Sequence, residues 1–168
     1  VAAMLFGDGA AAACLRAGGD GRDRAIRLGA AYQHSWPGTL GIMGWDVHDD
    51  GLAVVFDRSI PDFVNREFAA ATDAALAAAK LGRADVDRFV CHPGGAKVIA
   101  AIERALELRT GSLEAERDIL REAGNMSAPT VLFVLERVLR DNASGHLQLC
   151  ALGPGFTASF VPLRAEPP

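Results

Sequence analysis

The segment 86–91 runs straight into His92-Pro93-Gly94-Gly95, and this junction constrains the fold more than any other part of the chain. A short segment closed by turn residues predicts a strand, and the glycines that follow let the backbone approach a ligand closely. A histidine placed there stands at the mouth of a strand, where a rigid scaffold aims it. A second junction has the same form, because Gly124-Asn125-Met126-Ser127 leads directly into the apolar segment 128–140. If the two junctions meet in one pocket, His92 and Asn125 can both donate hydrogen bonds to a developing oxyanion, and the histidine can also activate a nucleophile. Each residue taken singly has a plainer reading. A lone histidine is more often a core residue bonded to a backbone carbonyl, and asparagine is favoured at caps and turns.

The rest of the chain alternates strand and helix patterns. Residues 10–17 form an apolar, alanine-rich run between Gly7, Gly9 and the cluster Gly18-Gly19-Asp20-Gly21, which predicts a strand. A second strand is expected over 24–33, a turn around 43–51 and a short buried strand over 52–56. Phe63, Val64, Phe68, Ala71, Ala75 and Ala79 recur close to helical spacing, so 61–80 is expected to be a helix with Ser59 as N-cap and Gly82 as stop. Further helices are expected over 96–106, 113–121 and 128–140. A hairpin of 147–152 and 156–163 closes across Gly153-Pro154-Gly155, and the tail 162–168 reads as a strand giving way to a loose end. Strands alternating with helices and ending in an antiparallel pair indicate an α/β fold with a mixed sheet packed with helices.

Composition narrows the function classes. The chain has 168 residues, 50% of them hydrophobic, which suffices for one domain with a core. No run approaches the roughly 18 apolar residues of a membrane span. A net charge of −4 with scattered basic residues gives no footprint for nucleic acid. The start of the chain lacks the basic flank and apolar core of a signal peptide, so a cytoplasmic location is expected. Cys14, Cys91 and Cys150 follow no disulfide or zinc pattern, and all three read as small buried hydrophobes. Neighbours on a strand point to opposite faces, which separates Cys91 from His92. No metal site is expected. A first residue other than Met, in an apolar run, reads as a piece of a longer chain.

His92-Pro93-Gly94-Gly95, Gly124-Asn125-Met126-Ser127, Gly153-Pro154-Gly155 and Leu5-Phe6-Gly7-Asp8-Gly9-Ala10-Ala11-Ala12 resemble, in order and separation, four signatures of the type III polyketide synthases, the chalcone and stilbene synthase family. The resemblance spans nearly the whole chain. It implies the C-terminal half of a thiolase-like fold, with residues 1–17 as the last strand of the other half, and a homodimer as the assembly. It also implies an acyltransferase that extends an acyl-CoA starter with malonyl-CoA by decarboxylative Claisen condensation. CoA thioesters are substrates, and no cofactor is implied.

By the same resemblance His92 and Asn125 are catalytic, and the nucleophilic Cys belongs to an N-terminal half outside this chain, since none of the three cysteines matches it. Phe6 corresponds to a gate between the CoA tunnel and the reaction cavity. A second gate phenylalanine of the plant enzymes falls on Val54, which widens the passage and favours a long or bulky acyl starter. Trp45 stands where plant chalcone synthases have a small cavity residue, so a pyrone or resorcinol is the expected product in place of a chalcone. Ser127 matches a cavity-wall residue or, alternatively, a helix-cap hydroxyl. Gly153, Pro154 and Gly155 match the substrate loop, and Gly94, Gly95 and Lys97 the CoA side, Lys97 being alternatively a solvated first-turn residue. Asp8 reads as a turn residue. Two other readings stay open: a non-catalytic chain that serves only as a folding or dimerisation partner, and a ketoacyl-acyl carrier protein synthase III-like condensing enzyme. A half-fold is also expected to expose apolar surface.

Overall fold

A computed structural model describes residues 2–17 and 26–167. In chain order its elements are α1 (Ala2–Leu5), β1 (Ile26–Leu28), β2 (Tyr32–Ser35), β3 (Met43–His48), β4 (Gly51–Phe56), α2 (Ile60–Ala78), β5 (Arg88–Cys91), α3 (Ala96–Ala105), α4 (Glu114–Ala123), α5 (Pro129–Arg140), β6 (Gly145–Gly153) and β7 (Thr157–Ala165). A five-stranded sheet has the order β1-β7-β6-β5, with β2 also on β7, and β3 and β4 form a separate hairpin. β5 lies parallel to β6, whereas β6, β1 and β2 are antiparallel to β7. This is the mixed α/β architecture expected.

The alternation of side chains along the strands builds two cores on opposite faces of the sheet. Phe89, Cys91, Cys150, Ala158 and Phe160 turn to one side, where Phe63, Phe68 and Leu76 of α2 and Ile99 and Ile102 of α3 cover them. Phe68 stacks on Phe160 with ring centroids 5.7 Å apart. Val90, Leu147, Leu163 and Ala165 turn to the other side, against Val131, Val134 and Val138 of α5. His92 follows Val90 by two residues and so leaves the strand toward the α5 face.

Several expectations are corrected. Residues 10–17 carry no strand and are exposed, Cys14 included. Alanine side chains bury little apolar area, and among the described residues no strand pairs with this run. The expected strand over 24–33 is two strands, with residues 24 and 25 outside the described residues. Pro162 of β7 faces this interruption, where its carbonyl accepts the Gly29 N–H at 2.8 Å but the proline has no N–H to return. The expected turn over 43–51 is mostly strand β3. Met43, Trp45 and Val47 alternate with Gly44, Asp46 and His48, and only Asp49-Asp50 turns. β4 is not a buried strand, because Leu52 is 64% exposed and Val54 half-buried. Apolar surface is also exposed at Leu40, Trp45 and Val47.

Helix α2 begins behind Ser59, yet the Ser59 side chain makes no cap bond. Asp57 instead accepts the Ser59 N–H at 2.7 Å. The helix ends at Ala78, and the residue that turns the chain out of it is Lys80, not Gly82. Leu81 N–H donates to Leu76 O and Lys80 N–H to Ala77 O, both at 2.9 Å, with Lys80 at φ 59° in the left-handed region. Glycine takes this conformation without the steric penalty of a Cβ, so Lys80→Gly is expected to raise stability by about 0.5–1 kcal/mol. Urea unfolding checks this, with Lys80→Ala as the control that gains nothing.

Candidate active site

Two strings more than a hundred residues apart are joined through their backbones. Asn125 N–H donates to Leu5 O at 2.8 Å and Gly7 N–H donates to Asn125 O at 3.0 Å, which makes a parallel bridge between Phe6 and Asn125. The glycines in both strings follow from this closeness. Gly124 sits at φ 73°, and a Cβ there would stand 3.1 Å from Leu5 O. A Cβ on Gly7 would strike Ala123 O, and one on Gly9 the Met126 side chain. The bridge therefore fixes Phe6 beside Asn125.

The Asn125 amide is buried and oriented at both ends. Its Oδ1 accepts the Ser127 N–H at 2.8 Å, and its Nδ2 donates to Gly94 O at 3.4 Å, leaving a second amide hydrogen. Ser127 itself is at φ 64°. The Thr130 hydroxyl accepts the Met126 N–H at 2.9 Å and donates to Ser127 O at 2.7 Å, which closes the loop onto α5.

His92 is placed by the sheet edge. Its N–H donates to Cys150 O at 2.8 Å, and its carbonyl accepts the Gly94 N–H at 3.0 Å. Cys91 N–H then points away from β6, and the carboxylate of Glu116 on α4 receives it at 3.0 Å. Glu116 is fully buried and pairs with Arg88 at 2.6 Å. Burial pushes its carboxyl above the usual range, while Arg88 and the Cys91 N–H oppose that shift. Burial also pushes the His92 imidazole down to about 4, so the ring is neutral near pH 7.

His92, Asn125, Ser127, Gly153, Pro154, Phe6, Trp45 and Val54 line one cavity of about 370 Å³. Gly94, Gly95 and Lys97 line a second, of about 720 Å³, together with Phe6 and Val54. Phe6 and Val54 thus stand between the two spaces, and Phe6 meets Phe56 edge-on with centroids 6.1 Å apart. Gly155 is the one residue of the expected set that lines neither. It borders a neighbouring hollow of about 450 Å³ beside Leu40 and Trp45.

No cysteine reaches either cavity lining. Cys91 and Cys150 lie buried on the opposite face, with the Cys150 thiol 3.1 Å from Cys91 Sγ. This hydrogen bond, then burial, pushes the Cys91 thiol well up. Both cysteines therefore fit the expected small buried hydrophobes.

Three site residues escaped the sequence reading. Arg58 lines the larger cavity beside Lys97. Thr39 accepts the Phe156 N–H at 2.6 Å and lies 3.0 Å from Gly155 O, so it holds the Gly153-Pro154-Gly155 turn. Glu116 was the third. Only Arg58 carried a local signal, a basic residue beside the strand that bears Val54. Among the described residues no cluster of three or more His, Cys, Asp or Glu side chains is placed to hold a metal ion.

The family model of the chalcone and stilbene synthases, C-terminal domain, matches residues 27–165. The chain belongs to this family. It is 41% identical over 98% of its length to 1,3,6,8-tetrahydroxynaphthalene synthase of Streptomyces peucetius subsp. caesius, covering 45% of that protein. It is 33% identical over 96% of its length to a putative chalcone synthase of Bacillus subtilis, covering 46%. The chain thus spans about half the length of the curated relatives it matches. Among solved structures, PKS-I of the brown alga Ectocarpus siliculosus aligns with a TM-score of 0.79 at 27% identity, over 88% of this chain and 41% of that one. The type III polyketide synthase domain of Steely1 from Dictyostelium gives 0.75 at 26% identity, over 83% and 40%. Tetrahydroxynaphthalene synthase of Streptomyces coelicolor, at 22% identity, shares the fold, with a TM-score of 0.79 over 86% and 42%. The chain has the fold of these type III polyketide synthases.

The depressed His92 value gives a pH signature. Between about pH 6.5 and about pH 4 the unfolded chain holds a proton on this imidazole that the folded chain does not, so stability falls as pH falls through that window. Exchanging His92 for Gln removes this component. The drop in urea midpoint between those two pH values is expected to be smaller in His92→Gln than in the parent.

Proposed function

We propose that this chain supplies the oxyanion-binding half of a type III polyketide synthase site, an acyltransferase that condenses an acyl-CoA starter with malonyl-CoA. The observation that carries the reading is the convergence of a neutral, half-buried His92 and an oriented Asn125 on one cavity, with Phe6 and Val54 joining it to a second. Gly94, Gly95, Lys97 and Arg58 line that second space and would receive the CoA arm. None of the three cysteines faces the cavities, so the attacking thiol is proposed to come from a Cys-bearing N-terminal half outside these 168 residues. The assembly is proposed to be a cytoplasmic homodimer. Among the described residues no helix is long and apolar enough to cross a membrane.

The chemistry follows from the donors. When the bond between the malonyl carboxylate and its α-carbon breaks, carbon dioxide leaves and the electron pair moves into an enolate whose negative charge sits on the thioester oxygen. His92 and Asn125 Nδ2 each offer an N–H to that oxygen, and an amide is too weak an acid to quench the enolate. The α-carbon then attacks the acyl thioester on the cysteine, and the sulfur departs as thiolate. A neutral imidazole next to the nucleophile also suits taking up the thiol proton before loading.

The test is malonyl-CoA decarboxylation and product formation by the full-length source protein. His92→Ala and Asn125→Ala are each expected to lower decarboxylation by roughly 100-fold or more while leaving the fold intact. A source protein with no such activity points to the non-catalytic folding or dimerisation partner.

Val54 in the passage supports a fatty acyl starter leading to a pyrone or resorcinol. A second reading, a starter without an alkyl chain, is favoured by Trp45, whose indole lines the cavity opposite its cross-strand partner Val54. The name of the Streptomyces relative likewise describes a product with no alkyl chain. Under this second reading Trp45→Gly is expected to admit longer acyl-CoA starters, read by mass spectrometry of the products. Under the first, the parent already accepts them.

A further inference from the structure

We propose that Glu116 is a positioning residue that sets the spacing between His92 and Asn125, by holding the end of strand β5 against helix α4. This rests on the proposed roles of His92 and Asn125. Among the described residues strand β5 is the last strand at its side of the sheet, so alternate N–H groups along it face outward with no strand to receive them. Cys91 N–H is one of these, and it belongs to the residue immediately before His92. Glu116 Oε1 receives it at 3.0 Å, and Oε2 receives the Arg88 guanidinium at 2.6 Å.

The same carboxylate sits on the helix that delivers Asn125, because α4 ends at Ala123 and Gly124-Asn125 follows at once. One buried side chain therefore ties the strand that ends at His92 to the helix that ends at Asn125. Among the described residues the one other hydrogen bond between the two segments is the long Asn125 Nδ2 contact to Gly94 O at 3.4 Å, beside the packing of Val90 with Ile119 and Met126. Neither carboxylate oxygen is left for a reactant, and Glu116 lines neither site cavity. It acts through the backbone of Cys91.

Three variants of the full-length source protein separate this role from a purely structural one. Gln at position 116 keeps an oxygen that can accept the Cys91 N–H but loses the charge opposite Arg88. Asp keeps the charge, and its shorter side chain withdraws the carboxylate from Cys91. Ala removes both contacts. Sub-ångström to ångström misplacement of a reacting group lowers rate far more than binding, so Glu116→Asp is expected to lower kcat for malonyl-CoA decarboxylation roughly tenfold or more, with KM within about twofold. Glu116→Gln is expected to retain most of kcat, and Glu116→Ala to behave as Asp does where it folds.

A readout independent of activity is the imidazole NMR signal of His92, expected to shift in Glu116→Asp and to stay in place in Glu116→Gln. An Asp variant that equals the parent, a Gln variant as poor as Asp, or a His92 signal unmoved by Asp overturns the proposal. A parent protein that does not decarboxylate malonyl-CoA overturns the reading of the site instead, and the His92 signal then decides the role of Glu116.

Discussion

The backbone bridge between Phe6 and Asn125 is the constraint on which the site depends. It joins the start of the described chain to the loop before α5 with two hydrogen bonds, and it tolerates only glycine at the closest approaches. Hydrogen bonds between backbones fix distance more tightly than packed side chains do, because neither partner has a rotamer to change. Phe6 and Asn125 are thereby placed together before any side chain makes a choice. The same economy explains the sequence around them: Gly7, Gly9 and Gly124 are spacers for a neighbouring strand of chain.

The sheet carries His92, and its two faces divide the labour. Cys91, Cys150 and Phe160 turn into the aromatic core under α2 and α3, where they stabilise the sheet. Val90 and its neighbours turn toward α5, and His92 inherits that direction at the strand end. The direction of the His92 side chain is thus set by strand parity. A one-residue slip of β5 against β6 would exchange Cys91 for His92 in the cavity and bury an imidazole among phenylalanines, so the register of this edge strand is under strong physical constraint.

The sequence pattern revealed the elements whose signals are local. Helical spacing at 63–75, the turn residues at 92–95 and 153–155, and the two segments of the last hairpin all state their structure within a dozen residues. The His92 and Asn125 strings were legible for the same reason, since each couples a polar residue to glycines at an element boundary, whereas Phe6, Trp45 and Val54 were picked out only through the family resemblance. What stayed hidden depends on partners remote in sequence. Glu116 looks like any acidic residue on an amphipathic helix until β5 is placed beside it. Thr39 reads as a loop threonine, although Phe156 N–H makes it a turn anchor. β3 was hidden because Gly44, Asp46 and His48 look like turn chemistry, while its partner β4 supplies the hydrogen bonds that make it a strand. Residues 10–17 failed the other way, with a strand-like composition and no strand to pair with among the described residues.

Pro162 has a bearing beyond the fold. By withholding one N–H it divides the outermost strand into two pieces of three and four residues, separated at Gly29. A sheet margin broken in this way presents no long, straight row of free donors and acceptors on which a foreign strand could grow. With an imino acid at one point of β7, the molecule acquires resistance to templated aggregation along the flank whose inner piece brings Gln33 to the smaller cavity.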